Sequence, residues 1–345
     1  MAEVQRTEIS SIGEFGLIDR ITEGVELVND SSVKGIGDDA AVINAGGTSQ
    51  VVSTDIMVEG IHFDLTYTPL KHLGYKAVTT NLSDIYAMNA YPKQIVISMA
   101  ISNRFSVEAI EEIYEGVKLA CKLYKVDLIG GDTTASTKGL IINVAVIGER
   151  VDGMFAYRSG ARSGDLICVT GDLGGAYIGL QLLEREKKIH MEHPEVQVDL
   201  ESKSYIVERQ IKPEARKDII EYLDEKKTVP TSMIDISDGL SSEILHVCKA
   251  SSVGCQLEEE YLPIANETFN QALEFNLGPT TCALSGGEDY ELLFTIDPKH
   301  REIIDAHHDI SIIGEVLDES MGAKLLTKGG NLHDIISLGW NSLEE

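Results

Sequence analysis

Cationic side chains are scarce in this chain: 29 lysines and arginines stand against 56 aspartates and glutamates, a formal net charge of −27 over 345 residues. So acidic a surface repels nucleic-acid phosphates and anionic lipid headgroups, which excludes polyanion binding and membrane-surface binding as expected functions. Part of the acidity serves solubility, so the informative acids are those standing where solvation does not need them. Cysteine is sparse too. Cys121, Cys168, Cys248, Cys255 and Cys282 are odd in number and form no C-x-x-C pair, which argues against a disulfide framework or a zinc ribbon and for reduced, buried thiols. No apolar run approaches the roughly eighteen residues of a membrane span. The opening Met1–Arg6 lacks a basic stretch followed by an apolar one. The expectation is a cytoplasmic protein.

What is present is ordinary globular material: 43% hydrophobic and 25% charged residues exclude a disordered or low-complexity chain. The length predicts two domains, 1–150 and 151–345, with the boundary in the glycine-containing, mixed-charge segment 149–164. Strand-like and helix-like patterns alternate. The sequence predicts a strand at 50–54. A helix over 69–90 carries Leu73, Ala77, Leu82, Ile85 and Met88 and is stopped by Tyr91-Pro92. A strand at 94–102 follows, then a helix capped by Ser106, then strands at 126–129 and 140–147. Further strands are expected at 165–170, 233–236 and 290–296, with helices at 174–186 and 240–250, and a polar, variable surface segment at 185–204. The order suits a mixed α/β (α+β) fold with helices layered on a sheet.

The informative pattern is a series of acidic blocks at the ends of apolar runs, each flanked by Gly, Ser or Thr. They are Gly37-Asp38-Asp39, Ser53-Thr54-Asp55, Asn81-Leu82-Ser83-Asp84, Gly130-Gly131-Asp132, Asp235-Ile236-Ser237-Asp238 and Gly286-Gly287-Glu288-Asp289. Singly, each is ordinary turn or cap chemistry. Together, carboxylates gathered at strand ends would repel one another unless cations accompany them. Oxygen donors without paired His or Cys select a hard ion such as Mg²⁺, which commonly bridges carboxylates to phosphates. The glycines at 130–131 and 171–175 are expected at strand-to-helix or strand-to-turn positions, where backbone N–H groups approach phosphate oxygens. A P-loop, an H-R-D/D-F-G pair, a G-x-S-x-G elbow and an EF-hand loop are all absent. His190 and His193 have the wrong spacing for H-E-x-x-H, whereas His62, just after the Ser-Thr-Asp block, contacts either substrate or core.

In order along the chain, GEFGLI (13–18), GIGDDAAV (35–42), STDIMVEGIHF (53–63), NLSDIYAM (81–88), GGDTT (130–134), RSGARSGD (158–165), IDISDGL (234–240) and SGGEDYELLF (285–294) resemble the thiamine-monophosphate kinase family, part of the aminoimidazole-ribonucleotide-synthetase-like superfamily. The resemblance implies a two-domain fold whose N-terminal sheet pairs with its twin across a dimer axis, with the active site in the cleft between domains. It implies transfer of the γ-phosphoryl group of ATP to thiamine phosphate, assisted by several Mg²⁺ ions, in a homodimer. Position by position, it assigns Asp39, Ser53, Thr54, Asp55, Asp84, Asp132, Asp235 and Asp238 to magnesium, with Asp84 and Asp132 the most critical to catalysis. Tyr114, Gly131, Asp132, Arg158 and Ser237 fall to the nucleotide, and His62, Glu288 and Trp340 to thiamine phosphate. Trp340 stacks on a substrate ring or packs a C-terminal tail. Asn89 stands where the family has glycine, a position that a left-handed Asn tolerates. The competing expectations are another superfamily ATPase, such as aminoimidazole ribonucleotide synthetase, and a non-catalytic Mg-nucleotide module.

Overall fold

A computed structural model describes residues 27–150, 152–195 and 200–336, together with Gly16, Ile18, Thr22 and Glu23. Among them, strands β1 (Ser32–Lys34), β2 (Ala41–Ala45), β3 (Thr48–Val58), β4 (Tyr91–Ile101), β5 (Asp127–Ala135) and β6 (Ile141–Glu149) form one sheet in the order β1-β2-β3-β6-β4-β5. Helices α1 (Leu70–Ala87) and α2 (Val107–Tyr124) cover one of its faces. In β6 the residues alternate strictly between buried and half-buried, so Ile142, Val144 and Val146 face the helices while Asn143 and Ala145 face the other way. That second face is open, with Ile56 more than half exposed.

The two helices meet backbone to backbone. A Cβ on Gly74 would lie 1.9 Å from the carbonyl oxygen of Ile113, and one on Gly116 would lie 1.8 Å from that of Lys71. Gly116→Ala therefore forces the helices apart. It is expected to destabilise the fold by about 3 kcal/mol, read as a lowered urea midpoint at unchanged slope.

The rest of the chain builds a second sheet. Its strands are β7 (Leu166–Thr170), β8 (Ser232–Asp235), β9 (Val253–Glu258), β10 (Leu292–Ile296), β11 (Ile310–Asp318), β12 (Ala323–Leu326) and β13 (Leu332–Asp334), in the order β13-β12-β9-β11-β7-β10-β8. Around it lie α3 (Gly175–Glu192), α4 (Ser204–Ile211), α5 (Lys217–Glu225), α6 (Leu240–Ser251), α7 (Asn266–Glu274), α8 (Pro279–Ser285) and α9 (Arg301–Asp305). One apolar core runs without a break from Val51, Leu82 and Val144 to Leu166, Ile219 and Phe294, and so spans both sheets. Polar clasps reinforce the junction: Tyr124 donates to Glu214 at 2.7 Å, while Tyr91 and Arg150 both donate to Asp224 at 2.6 Å. Among the described residues no helix is long and apolar enough to cross a membrane.

Several elements match the sequence expectation, and the departures have physical causes. Ser106 caps α2 by accepting from the Ala109 N–H at 3.2 Å. Tyr91-Pro92 opens β4 rather than merely ending α1; the reversal comes earlier, at Asn89, whose φ of 54° is left-handed. Of the polar segment 185–204, residues 185–192 continue α3, with Lys187 paired to Asp64 at 2.6 Å, so this part is helix held to the first half of the chain. Gly130 and Gly131 do not form a strand-to-helix turn. They lie inside β5, where a Cβ on Gly131 would stand 2.0 Å from the Ile97 carbonyl oxygen, so glycine is what lets β5 run close beside β4.

Candidate active site

α1 is unusual in being buried nearly all round, because it lies between the two halves of the chain. Its polar residues are therefore directed at partners rather than at water. Ser53, on the helix-facing side of β3, donates to Asp84 at 2.6 Å, and Asn81 accepts the Asp55 N–H at 2.9 Å. Ser83 reaches across to the end of β8 and donates to Asp235 at 2.6 Å. On the other side Asp39, in the turn before β2, receives the Arg158 guanidinium at 2.7 Å, and the Arg158 N–H donates to Asp38 at 2.6 Å.

These tethers bring three carboxylates from distant parts of the chain together: oxygen atoms of Asp39, Asp84 and Asp235 all lie within 4.8 Å of one another. Burial pushes Asp39 up to about 7, with Arg158 opposing and the Asp235 charge adding to the rise. Asp235 is pushed up to about 6, again chiefly by burial, with the Ser83 hydrogen bond opposing and the Asp55 charge raising it further. Asp84 is raised well above the ordinary carboxylate range by burial and then by Asp55, Asp235 and Asp39. The Asp39 Oδ2 atom is buried without a hydrogen-bond partner. A converging, oxygen-only set of this kind fits a hard divalent cation, which would supply the missing ligand and the missing charge.

The residues proposed from sequence divide into groups. Asp39, Asp84 and Asp235 converge, and Asp55 is near enough to act electrostatically on both Asp84 and Asp235. Asp238 follows in the loop after β8, where its N–H donates to Glu243 at 3.0 Å. Thr54 and Asp132 are not brought to this cluster within the chain. Consecutive residues of a strand point to opposite faces, so Thr54 turns away from α1, bonding Val144 and Asn143. Asp132 is aligned through Ser98 and Asn143 with Ile56, all on the open face, and lies on the exposed edge strand together with Gly131. Tyr114 lies on α2 in a groove with Ile110, Glu111 and Lys118.

Beside the carboxylates is a cavity of about 530 Å³ lined by His62, Ser237 and Glu288 together with apolar groups such as Leu180, Leu277 and Cys282. The Val58 N–H donates to His62 Nδ1 at 3.1 Å, which fixes the neutral ring with its proton on Nε2. Glu288 sits in a loop of unusual backbone: Gly287, Glu288 and Tyr290 have φ of 72°, 58° and 51°. The buried Lys76 ammonium donates to Glu288 Oε1 at 3.0 Å and the Gln210 amide donates to Oε2 at 2.7 Å. Asp289 caps α3 by accepting from Gly174 N–H at 2.7 Å. Trp340 and most of the 13–18 motif lie outside the described residues. Sequence reasoning missed Ser83, Lys76, Gln210 and Tyr290. Ser83 stands inside the 81–88 motif and Tyr290 inside the 285–294 motif, Lys76 is a charge set among Leu73, Tyr75, Ala77 and Val78, and Gln210 leaves no local signal.

Residues 37–150 match the family model described as AIR synthase related protein, N-terminal domain. That defines the class to which the N-terminal sheet belongs. Across the whole chain, the thiamine-monophosphate kinase of Bacillus subtilis is 35% identical over 91% of this chain and 94% of its own length. That of Aquifex aeolicus is 37% identical over 85% and 88%. A solved structure described as AaThiL complexed with AMPPCP and TMP superposes with a TM-score of 0.82 at 33% identity, covering 99% of each chain. The chain belongs to the thiamine-monophosphate kinase family.

Proposed function

We propose that this chain transfers the γ-phosphoryl group of ATP to thiamine phosphate, giving thiamine diphosphate and ADP. The observation that carries the reading is the convergence of buried Asp39 and Asp235 with half-buried Asp84 beside a cavity that presents Glu288 and His62. Relatives of the same name over nearly the full length support it, as does the likeness to a structure holding AMPPCP and TMP.

Asp39, Asp84 and Asp235, with Asp55, Asp238 and the Ser53 hydroxyl close by, are the groups that would hold Mg²⁺. When bound, the ions offset the charge of two phosphates that must approach in line. The chain's own contributions are binding and orientation. Arg158, fixed by Asp39, presents a guanidinium whose fork suits phosphate oxygens. Glu288 offers a carboxylate to the cationic thiazolium end of the acceptor, and His62 offers its Nε2 proton to the same cavity. An acceptor phosphate is ionised near neutral pH, so attack on the γ-phosphorus requires no protein base.

The reading extends to a homodimer. The open face of the first sheet exposes Ile56, and it carries Thr54 and Asp132 away from the cluster, with Gly131 beside Asp132 on the exposed edge strand, so a second copy packed there would cover apolar surface and flank these residues. Residues 1–150 and 151–345 are proposed as the two domains, and the cytoplasm as the location.

The test is direct: purified protein given ATP and thiamine phosphate is expected to form equal amounts of thiamine diphosphate and ADP, with formation abolished by chelation and restored by Mg²⁺. ADP release without thiamine diphosphate would overturn the reading.

A further inference from the structure

Two side chains of α1 reach into the second half of the chain at functional positions. Ser83 holds Asp235 at the carboxylate end, and seven residues earlier Lys76 holds Glu288 at the cavity end. Seven residues of helix rise about 10 Å, so one rigid element sets the spacing between the phosphate end of the site and its cation-facing end.

Lys76 is an unexpected residue to find there. Its side chain is 3% exposed, on a helix whose neighbours Leu73, Tyr75 and Ala77 are core. A buried ammonium is destabilising unless fully partnered. Here it makes two bonds, one to the Gln210 carbonyl oxygen at 3.0 Å and one to Glu288 at 3.0 Å. Glu288 is gripped in turn on its second oxygen by the Gln210 side chain. The loop it occupies places two non-glycine residues, Glu288 and Tyr290, at left-handed φ, a conformation that persists only where surroundings over-determine it. Other restraints there are the Glu288 N–H to Ser237 O at 2.6 Å, the Tyr290 N–H to Ile236 O at 2.9 Å and the Asp289 carboxylate on the Gly174 and Ala176 N–H groups. Those fix the backbone. Only Lys76 and Gln210 fix the direction of the Glu288 carboxylate, among the hydrogen bonds of the described residues.

We propose that Lys76, with Gln210, is a positioning residue for the acceptor: it touches no substrate, and acts by aiming the Glu288 carboxylate into the cavity from the helix that also carries Asp84. This rests on the phosphoryl-transfer reading above. It implies that loss of Lys76 weakens use of the cationic acceptor while leaving the nucleotide unaffected, and that the loss passes entirely through Glu288.

A double-mutant cycle separates this role from a merely structural one. Lys76→Met is expected to raise the KM for thiamine phosphate about tenfold with the KM for ATP within about twofold of wild type. On a Glu288→Gln background the same substitution is expected to change the acceptor KM by less than about twofold. Gln210→Leu, which keeps the backbone carbonyl that Lys76 uses, is expected to give a smaller rise of about threefold, likewise absent when Glu288 is Gln; it carries the test if Lys76→Met fails to fold. Equal losses in both backgrounds, or a matching rise in the KM for ATP, overturn the positioning role while the reaction itself stands. If the wild-type protein makes no thiamine diphosphate, the functional reading falls first and this inference with it.

Discussion

Asp84→Asn is expected to lower thiamine diphosphate formation about a thousandfold while leaving the cation-free protein as stable as wild type or more so. The two effects have one cause. Asp84 is ringed by Asp55, Asp235 and Asp39, and burial adds to their repulsion, so its ionised form is disfavoured in the folded chain. An amide of the same shape can still accept the Ser53 hydroxyl, which now bonds Asp84 at 2.6 Å, so local packing survives. What disappears is one negative charge from a set that would hold divalent ions. Asp132→Asn is expected to reduce turnover as well, but with no gain in stability, because Asp132 sits on the exposed edge strand away from the other acids. Turnover by product chromatography and unfolding by calorimetry in chelator check the pair. Undiminished turnover by Asp84→Asn would remove the carboxylate cluster from the reaction.

The contrast between Asp84 and Asp132 also marks where sequence reading works. The acids flanked by Gly, Ser or Thr are expected to meet as one set; Asp39, Asp84 and Asp235 do converge and Asp132 does not, and at Asp235 the cue is physical, because core residues of a strand ending in Asp put the carboxylate at a core boundary. The same logic gave the buried face of α1 and the Ser106 cap. It could not tell which face of a strand a residue takes once the strand is longer than expected. β5 runs to Ala135, and that extension turns a presumed glycine turn into an open edge. Nor could it foresee Lys76 meeting Glu288, 212 positions apart, because that contact depends on how two sheets dock. Pairings set by tertiary packing leave no local pattern to read.

The chelated protein is expected to lose stability as pH rises from 6.5 to 8, and Mg²⁺ to restore it. Asp39 and Asp289 are each pushed up to about 7 by burial, and Asp84 is raised as well, whereas in the unfolded chain such groups ionise near 3.8. Between those values the native state holds protons that the unfolded state has released, so stability falls as pH climbs through the folded pKa values. The carboxylates and imidazoles that shift the other way act below this window. Lysine- and arginine-paired Asp64, Asp152 and Asp218 are lowered, so their contribution is complete above about pH 4. His72 and His307, lowered chiefly by burial, add stability as pH rises, but only up to their unfolded value of 6.5. A cation binds the deprotonated carboxylates, so its stabilisation grows with pH. At a free Mg²⁺ concentration a hundredfold above its dissociation constant, an increase in Tm of about 4 °C is expected at pH 8. The increase at pH 6 should be clearly smaller, because protons compete for Asp39 and Asp84 there. Asp289 serves as an internal control, since its carboxylate caps α3 by accepting from Gly174 and its pH dependence remains with or without the ion. An equal Mg²⁺ effect at both pH values, or one that persists undiminished in Asp84→Asn, would mean that the ion binds elsewhere and that the buried carboxylates do not serve as its ligands.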